Sequence, residues 1–269
     1  MQIRLRNSRP AAFTLMEILV VIAIIVVVTA IAYPIYRHFS LKSSKATALT
    51  QIKQLSDGLL SFANANGGLL PAEDADGKDN WTTVKLPVAE KAWYNVIPKH
   101  MGLKNVADFT KENRTAAFYT KENIFYLPGA QYPESRVEKP LFALAYNSRL
   151  SRNAADGTPI IVKFGDIVVP GRTVMFMEQG LPGETRAHQS ISKKDYDGAP
   201  KGSAKSFVTR YGGKVGIMSF FDGHVEDVKA DTVLTATGAI NWTAESGNDG
   251  TAVLWTADPK VNPNAKTGP

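Results

Sequence analysis

The sequence predicts an α+β fold in which one long amino-terminal helix, membrane-like in its first half, packs its second half on an antiparallel sheet. Three observations carry that prediction. Residues 18–33 form an apolar run interrupted only by Thr29. A stripe of apolar residues then recurs at helical spacing until Asn66-Gly67-Gly68 stops it. Beyond that stop, short apolar runs bounded by glycine and proline alternate with polar loops, the pattern of strands.

The bulk numbers fit this division. The chain has 269 residues, 44% hydrophobic and 21% charged, which is the composition of a folded globule. With about 50 residues in the helical segment, the rest makes one domain of ordinary upper size or two small ones. There is no cysteine, which excludes disulfides, thiolate metal sites and a thiol nucleophile. The net charge of +6 falls to +3 without Arg4, Arg6 and Arg9. The remaining basic residues are interspersed with acids, so no nucleic-acid partner is expected.

At the amino terminus, Arg4, Arg6, Arg9, Ala11 and Ala12 all precede the apolar run. A secretory signal peptide has its small residues after the apolar stretch, so this order argues against one. With Phe13–Met16 and Ile35–Tyr36 added, the run reaches the roughly 20 residues that span a bilayer. A cut between Ala12 and Phe13 would remove a leader of residues 1–12 and keep the helix. Leader arginines place that end in the cytoplasm and the bulk of the chain on the far side. An uncleaved signal anchor would share this orientation. Glu17 is the one acid in the segment 13–36, and an acid there costs roughly 2.5–3.5 kcal/mol at mid-bilayer, so it marks function. Pro34 lies inside the continuing pattern and is expected to kink or loosen the helix by removing a backbone hydrogen bond.

The second half, residues 37–66, is amphipathic. Leu49, Ile52, Leu55, Leu59, Phe62 and Ala63 make the apolar stripe, and Lys42, Lys45, Gln51, Lys53 and Asp57 the polar face. Unbroken from Phe13 to Asn66, such a helix would be about 80 Å long.

Residues 67–269 make the globular part. Ala72–Asn80 is an acidic loop whose Asp74, Asp76 and Asp79 resemble an oxygen-donor calcium loop without its closing bidentate glutamate. A solvated loop is the preferred reading and no cofactor is expected, with calcium at these three residues the alternative. Trp93–Pro98 reads as a short helix. Asn123–Pro128, Leu141–Tyr146, Ile160–Phe164 and Thr173–Glu178 read as strands. Val215–Phe221 and His224–Val228 flank Asp222-Gly223, the signal of a two-residue type I′ hairpin. Asp222 and His224 could be drawn as a catalytic pair. The structural reading is preferred, with Asp222 tolerating positive φ and the His224 ring in solvent or against Tyr211. Gly238–Pro269, with Asn241-Trp242, Leu254-Trp255 and three prolines, reads as a last hairpin and a loose tail. The histidines His38, His100, His188 and His224 show no metal-ligand spacing, and no H-E-x-x-H, G-x-S-x-G or P-loop pattern occurs. An enzyme is not expected.

The order Ala12-Phe13-Thr14-Leu15-Met16-Glu17, after a basic leader and before an apolar helix, resembles the processing site of type IV pilins and of type II secretion pseudopilins. The resemblance implies cleavage by prepilin peptidase between Ala12 and Phe13, N-methylation of Phe13, and pairing of Glu17 with that amine in a neighbouring subunit. It implies that Pro34 marks where the helix melts on assembly. It further implies a periplasmic domain, an inner-membrane assembly platform, other pilin-like subunits and the lipid bilayer as partners. Phe221-Asp222-Gly223-His224-Val225, Leu144–Asn147, Ile167–Glu178 and Phe125–Pro128 resemble segments of prepilin-type proteins with an H-X9-DG domain, found in verrucomicrobia and planctomycetes. The position ten before Asp222 is Gly212 rather than histidine, with Tyr211 the nearest ring. The expected function is a pseudopilin of a type II secretion or related filament. A type IV pilus subunit comes second, and a membrane-anchored binding module that never polymerises third.

Overall fold

The computed structural model describes residues 14–133, 138–150, 152–153, 159–160, 162–185, 187, 196–213, 215–233 and 253–260. The chain divides into two compact units, Met1–Ser43 and Ser44–Pro269. Helix α1 (Leu15–Ala65) starts in the first unit, and the second unit takes in its last turns.

Within the second unit α1 buries the face that its periodicity predicts. Ala48, Ile52, Leu55 and Leu59 are fully buried, three or four residues apart. Gly58 lies on the same side because α2 (Trp93–His100) ends against it: a Cβ there would come within 2.4 Å of Met101 Sδ. From α2, Trp93 fills the centre of the core, its ring 5.3, 5.7 and 5.1 Å from those of Phe125, Phe142 and Phe176. Its indole N–H donates to Pro200 O at 3.0 Å, so the one polar atom of a buried tryptophan is satisfied. Helix α3 (Val106–Lys111) follows, with Asn105 and Asp108 forming a reciprocal capping box.

The strands are β1 (Leu144–Asn147), β2 (Arg152–Asn153), β3 (Pro159–Ile160), β4 (Val174–Glu178), β5 (Lys201–Gly202), β6 (Val215–Phe220) and β7 (Val225–Lys229). Five form one sheet in the order β5-β1-β4-β6-β7, and β2 and β3 pair separately. The expected antiparallel sheet is in fact mixed, since β5 runs parallel to β1, pairing Tyr146 with Lys201 and Asn147 with Gly202. The reason is connectivity: β4 runs against β1, and β5, which follows β4 and runs against it in turn, lies on the far side of β1 and so runs with it.

Both faces of the sheet are covered, which is why β4 reads as a continuous apolar run rather than an alternating one. Leu144, Tyr146, Phe176 and Ile217 share one apolar cluster with Ile52 and Leu59 of α1. On the other face Ala145, Met177, Met218 and Phe220 pack with Val253 and Trp255. Leu254-Trp255 is therefore not a loose end. Leu254 N donates to Arg172 O at 2.7 Å and Leu254 O accepts from Val174 N at 2.9 Å, beside the start of β4. The fully buried Asn147 clasps this segment, its amide donating to Val174 O and Trp255 O, each at 2.8 Å. Asn241-Trp242, Pro263 and Pro269 lie outside the described residues.

Three further expectations are corrected. Asn123–Pro128 is a series of turns, because Asn123 folds on itself: its side chain donates to Phe118 O at 2.8 Å and accepts from Phe125 N at 3.1 Å. Among the described residues of Ile160–Phe164 only Ile160 is in a strand, and Phe164–Asp166 is a 3-10 turn held by Asp166, which accepts from Lys163 N at 2.8 Å. The hairpin loop has three residues, since Ser219 pairs with Val225 and Gly223 N donates to Phe220 O at 2.9 Å. Of the loop, only Gly223 has positive φ (+89°), so the turn is not type I′. It is a three-residue loop ending in a left-handed glycine, the form that follows the common two-residue turns.

Candidate functional site

In the first unit, every described residue from 14 to 43 is exposed. Leu15–Ala65 is a helix long and apolar enough to cross a membrane. Thr14 N and Oγ1 donate to Glu17 Oε2 at 2.8 and 2.9 Å, and Glu17 N donates back to Thr14 Oγ1 at 3.2 Å. This capping box satisfies donors that the helix start leaves orphaned, and it aims the carboxylate at the amino-terminal end of the helix. Its signature, Thr14-x-x-Glu17, stands in the sequence, although the acid attracts attention first through its charge. Both bonds to the carboxylate fall on Oε2. Oε1 has no partner among the described residues. Ala12 and Phe13 lie outside the described residues.

Further along, Thr29 Oγ1 donates back to Ile25 O at 2.7 Å, so the residue that interrupts the apolar run spends its hydroxyl within the helix. The helix continues through Pro34 without interruption of its assignment, so the expected loosening is not visible in this subunit alone.

The other predicted residues are dispersed. Asp222 and His224 meet on the surface at the hairpin tip, Nδ1 to Oδ1 at 2.5 Å, and Asp222 also accepts from His224 N at 3.0 Å. Burial works to raise the Asp222 carboxyl, but the two His224 bonds hold it below its ordinary value. The His224 ring is exposed, one of the two placements expected, and it stacks on Phe220, with centroids 4.4 Å apart, rather than lying against Tyr211. Behind the loop, a Cβ on Gly223 would meet Leu60 of α1 at 3.3 Å, so the tip abuts the helix. In the acidic loop, Asp74 pairs with Lys201 at 2.8 Å while Asp79 turns inward to accept from Tyr94 at 2.6 Å. Asp76 is exposed at positive φ. No group of three potential metal ligands comes together among the described residues.

One polar cluster escaped the sequence reading. Arg210 is buried and forks onto Glu184, Nε to Oε1 at 2.9 Å and Nη2 to Oε2 at 2.8 Å, while Nη1 reaches Glu178 Oε1 at 3.2 Å. Glu178 also accepts from Tyr211 OH and Ile217 N, both at 3.0 Å. Burial pushes the Glu178 carboxyl up, against the pull of Arg210 and of these donors. Tyr211 thus anchors a buried ion cluster. The cluster ties β4 to the segment entering β6.

Comparison with known families places a match at the other end of the chain. Residues 7–33 match the family described as the prokaryotic N-terminal methylation motif. The chain carries a prepilin-type amino terminus. Curated proteins and solved structures provide no match. A prepilin-type terminus on an apolar helix of membrane length supports a pilin-like subunit anchored in a bacterial membrane. The motif implies processing by prepilin peptidase and assembly with other pilin subunits, which are structural proteins rather than enzymes.

Proposed function

We propose that this chain is a pseudopilin-like subunit of a type II secretion or related filament, held in the inner membrane with its domain of residues 67–269 in the periplasm. Prepilin peptidase removes residues 1–12, and the new amine of Phe13 is N-methylated. The observation that carries this reading is the prepilin-type motif at 7–33, continued by a helix exposed at every described residue to 43. Nothing among the described residues covers that segment. Lipid covers it before assembly and neighbouring helices cover it afterwards.

Glu17 supplies the coupling between the two states. In the free subunit Thr14 holds one carboxylate oxygen, which lowers the cost of the acid in the bilayer. The second oxygen is free to receive the Phe13 amine of a neighbour, and a buried charge is far cheaper paired than alone. Pro34, which cannot donate to the backbone ladder, offers the helix a place to yield when subunits pack.

The test is incorporation into filaments. An epitope-tagged chain, expressed with its own assembly system, should co-purify with filaments sheared from cells. Glu17→Ala should be inserted and cleaved yet depleted from that fraction. Equal incorporation of the Glu17→Ala chain would remove the proposed coupling.

A further inference from the structure

A second surface, within the unit Ser44–Pro269, is shaped to hold something. The end of α1, the loop before α2, α2 and the start of α3 enclose an open cleft of about 580 Å³. Phe62, Val96 and Leu86 contribute apolar surface to it, and Lys85, Lys99 and Lys111 contribute cations from three separate elements. All three lysines are exposed and none makes an ion pair among the described residues. Glu90 is the one acid in the lining. At the same rim Leu86 and Val88 stand in solvent, 45% and 38% exposed, next to Lys85 in the chain.

The hydrogen-bonding groups within the cleft are already used. Asn95 donates to Val84 O and Ala89 O at 2.9 and 3.0 Å and accepts from Ala107 N at 3.1 Å. The start of α3 is closed by its capping box, Asp108 N donating to Asn105 Oδ1 at 3.0 Å. His100 Nε2 is engaged with Ser61 Oγ at 3.0 Å. A small phosphate or sugar would find few fixed donors here to orient it. What the cleft offers is a mainly polar wall with apolar surface at Phe62, Val96 and Leu86, beside three lysines that make no ion pair among the described residues. Both features are satisfied by an extended segment that alternates acidic and apolar side chains.

We propose that this cleft docks an acidic, apolar-bearing peptide segment of a protein partner. The inference stands apart from filament assembly, since every residue in it belongs to the second unit and none to the exposed half of α1. Lysine charge draws the segment in and sets its orientation, and burial of Leu86 with the partner's apolar side chains retains it.

The probe is a short fluorescein-labelled peptide of alternating Glu and Leu, titrated by anisotropy against the full chain in lipid nanodiscs. Saturable binding is expected, weakened about tenfold or more in a Lys85→Glu, Lys99→Glu, Lys111→Glu chain and weakened again by salt. Leu86→Ser should weaken it too, while a peptide with Gln for Glu should bind poorly. If the triple variant melts early, the three single reversals replace it, each expected to lower affinity on its own. Unchanged affinity in the charge-reversed chains would overturn the proposal. So would poly-glutamate binding as tightly as the mixed peptide, or displacement of the peptide by inorganic phosphate, since either would make the cleft a simple anion site.

Discussion

Single residues with no signal of their own hold the globular unit closed. Asn147 donates to two carbonyls, one in β4 and one in the carboxy-terminal segment. Asn147→Leu strands both in a dry interior and should cost about 2–4 kcal/mol, read as a lower melting temperature of the detergent-solubilised chain. Arg210 is a sharper case, because two carboxylates depend on it. Arg210→Met leaves buried charge unpaired and should cost about 3–5 kcal/mol. Glu178 makes the cluster sensitive to pH. Its carboxyl is raised in the folded state, by burial above all, so its contribution is complete below the unfolded glutamate value of about 4.3 and fades as pH rises through the folded one. Glu178→Gln removes that titration, and melting curves of the variant should therefore be flatter than those of the parent from pH 4 upward. None of this was legible beforehand. Arg210 lies 26 residues beyond Glu184 and 32 beyond Glu178, and only the tertiary fold decides which buried charges meet.

Elements were legible where a period repeats and illegible where a few residues suffice. The α1 stripe ran through many turns, and the structure buries Ile52, Leu55 and Leu59 as the spacing demanded. Strands β4, β6 and β7 were found to within a residue or two for a similar reason, being apolar runs between turn residues. Strand β5 has only two residues and no pattern to show, and missing it hid the parallel edge of the sheet. Asn123–Pro128 misled because aromatic residues raise strand propensity while Asn123 spends its side chain on the turn. The hairpin was located correctly and its turn misjudged, since one residue more in the loop moves positive φ from Asp222 to Gly223 alone. Gly223→Val should cost about 1–3 kcal/mol through backbone strain. The Leu60 contact at 3.3 Å leaves the new side chain little room. Asp222→Asn keeps an acceptor for His224 N and should move the melting temperature little.

At the scale of the whole molecule the sequence carried more of the function than the fold did. A leader, a small residue before Phe13, and an acid at the head of an apolar helix are chemical instructions to other proteins, written in order along the chain. The family match falls on that same stretch, residues 7–33. The structure adds what order alone does not show: Thr14 already holds Glu17, and α1 hands over from an exposed segment to a packed one near Ser44. The Thr14–Glu17 box makes its own prediction. Thr14→Val removes the hydroxyl that shares Glu17 Oε2, leaving the acid to the backbone N–H alone, so subunit insertion should fall while cleavage of the inserted chain persists. Everything in the proposed function depends on the first event, the removal of the leader. Mass spectrometry of the amino-terminal peptide from membrane-extracted protein tests it directly. The account predicts a mature chain beginning at N-methylated Phe13, and an intact Met1, or a cut beyond the apolar run, would contradict it.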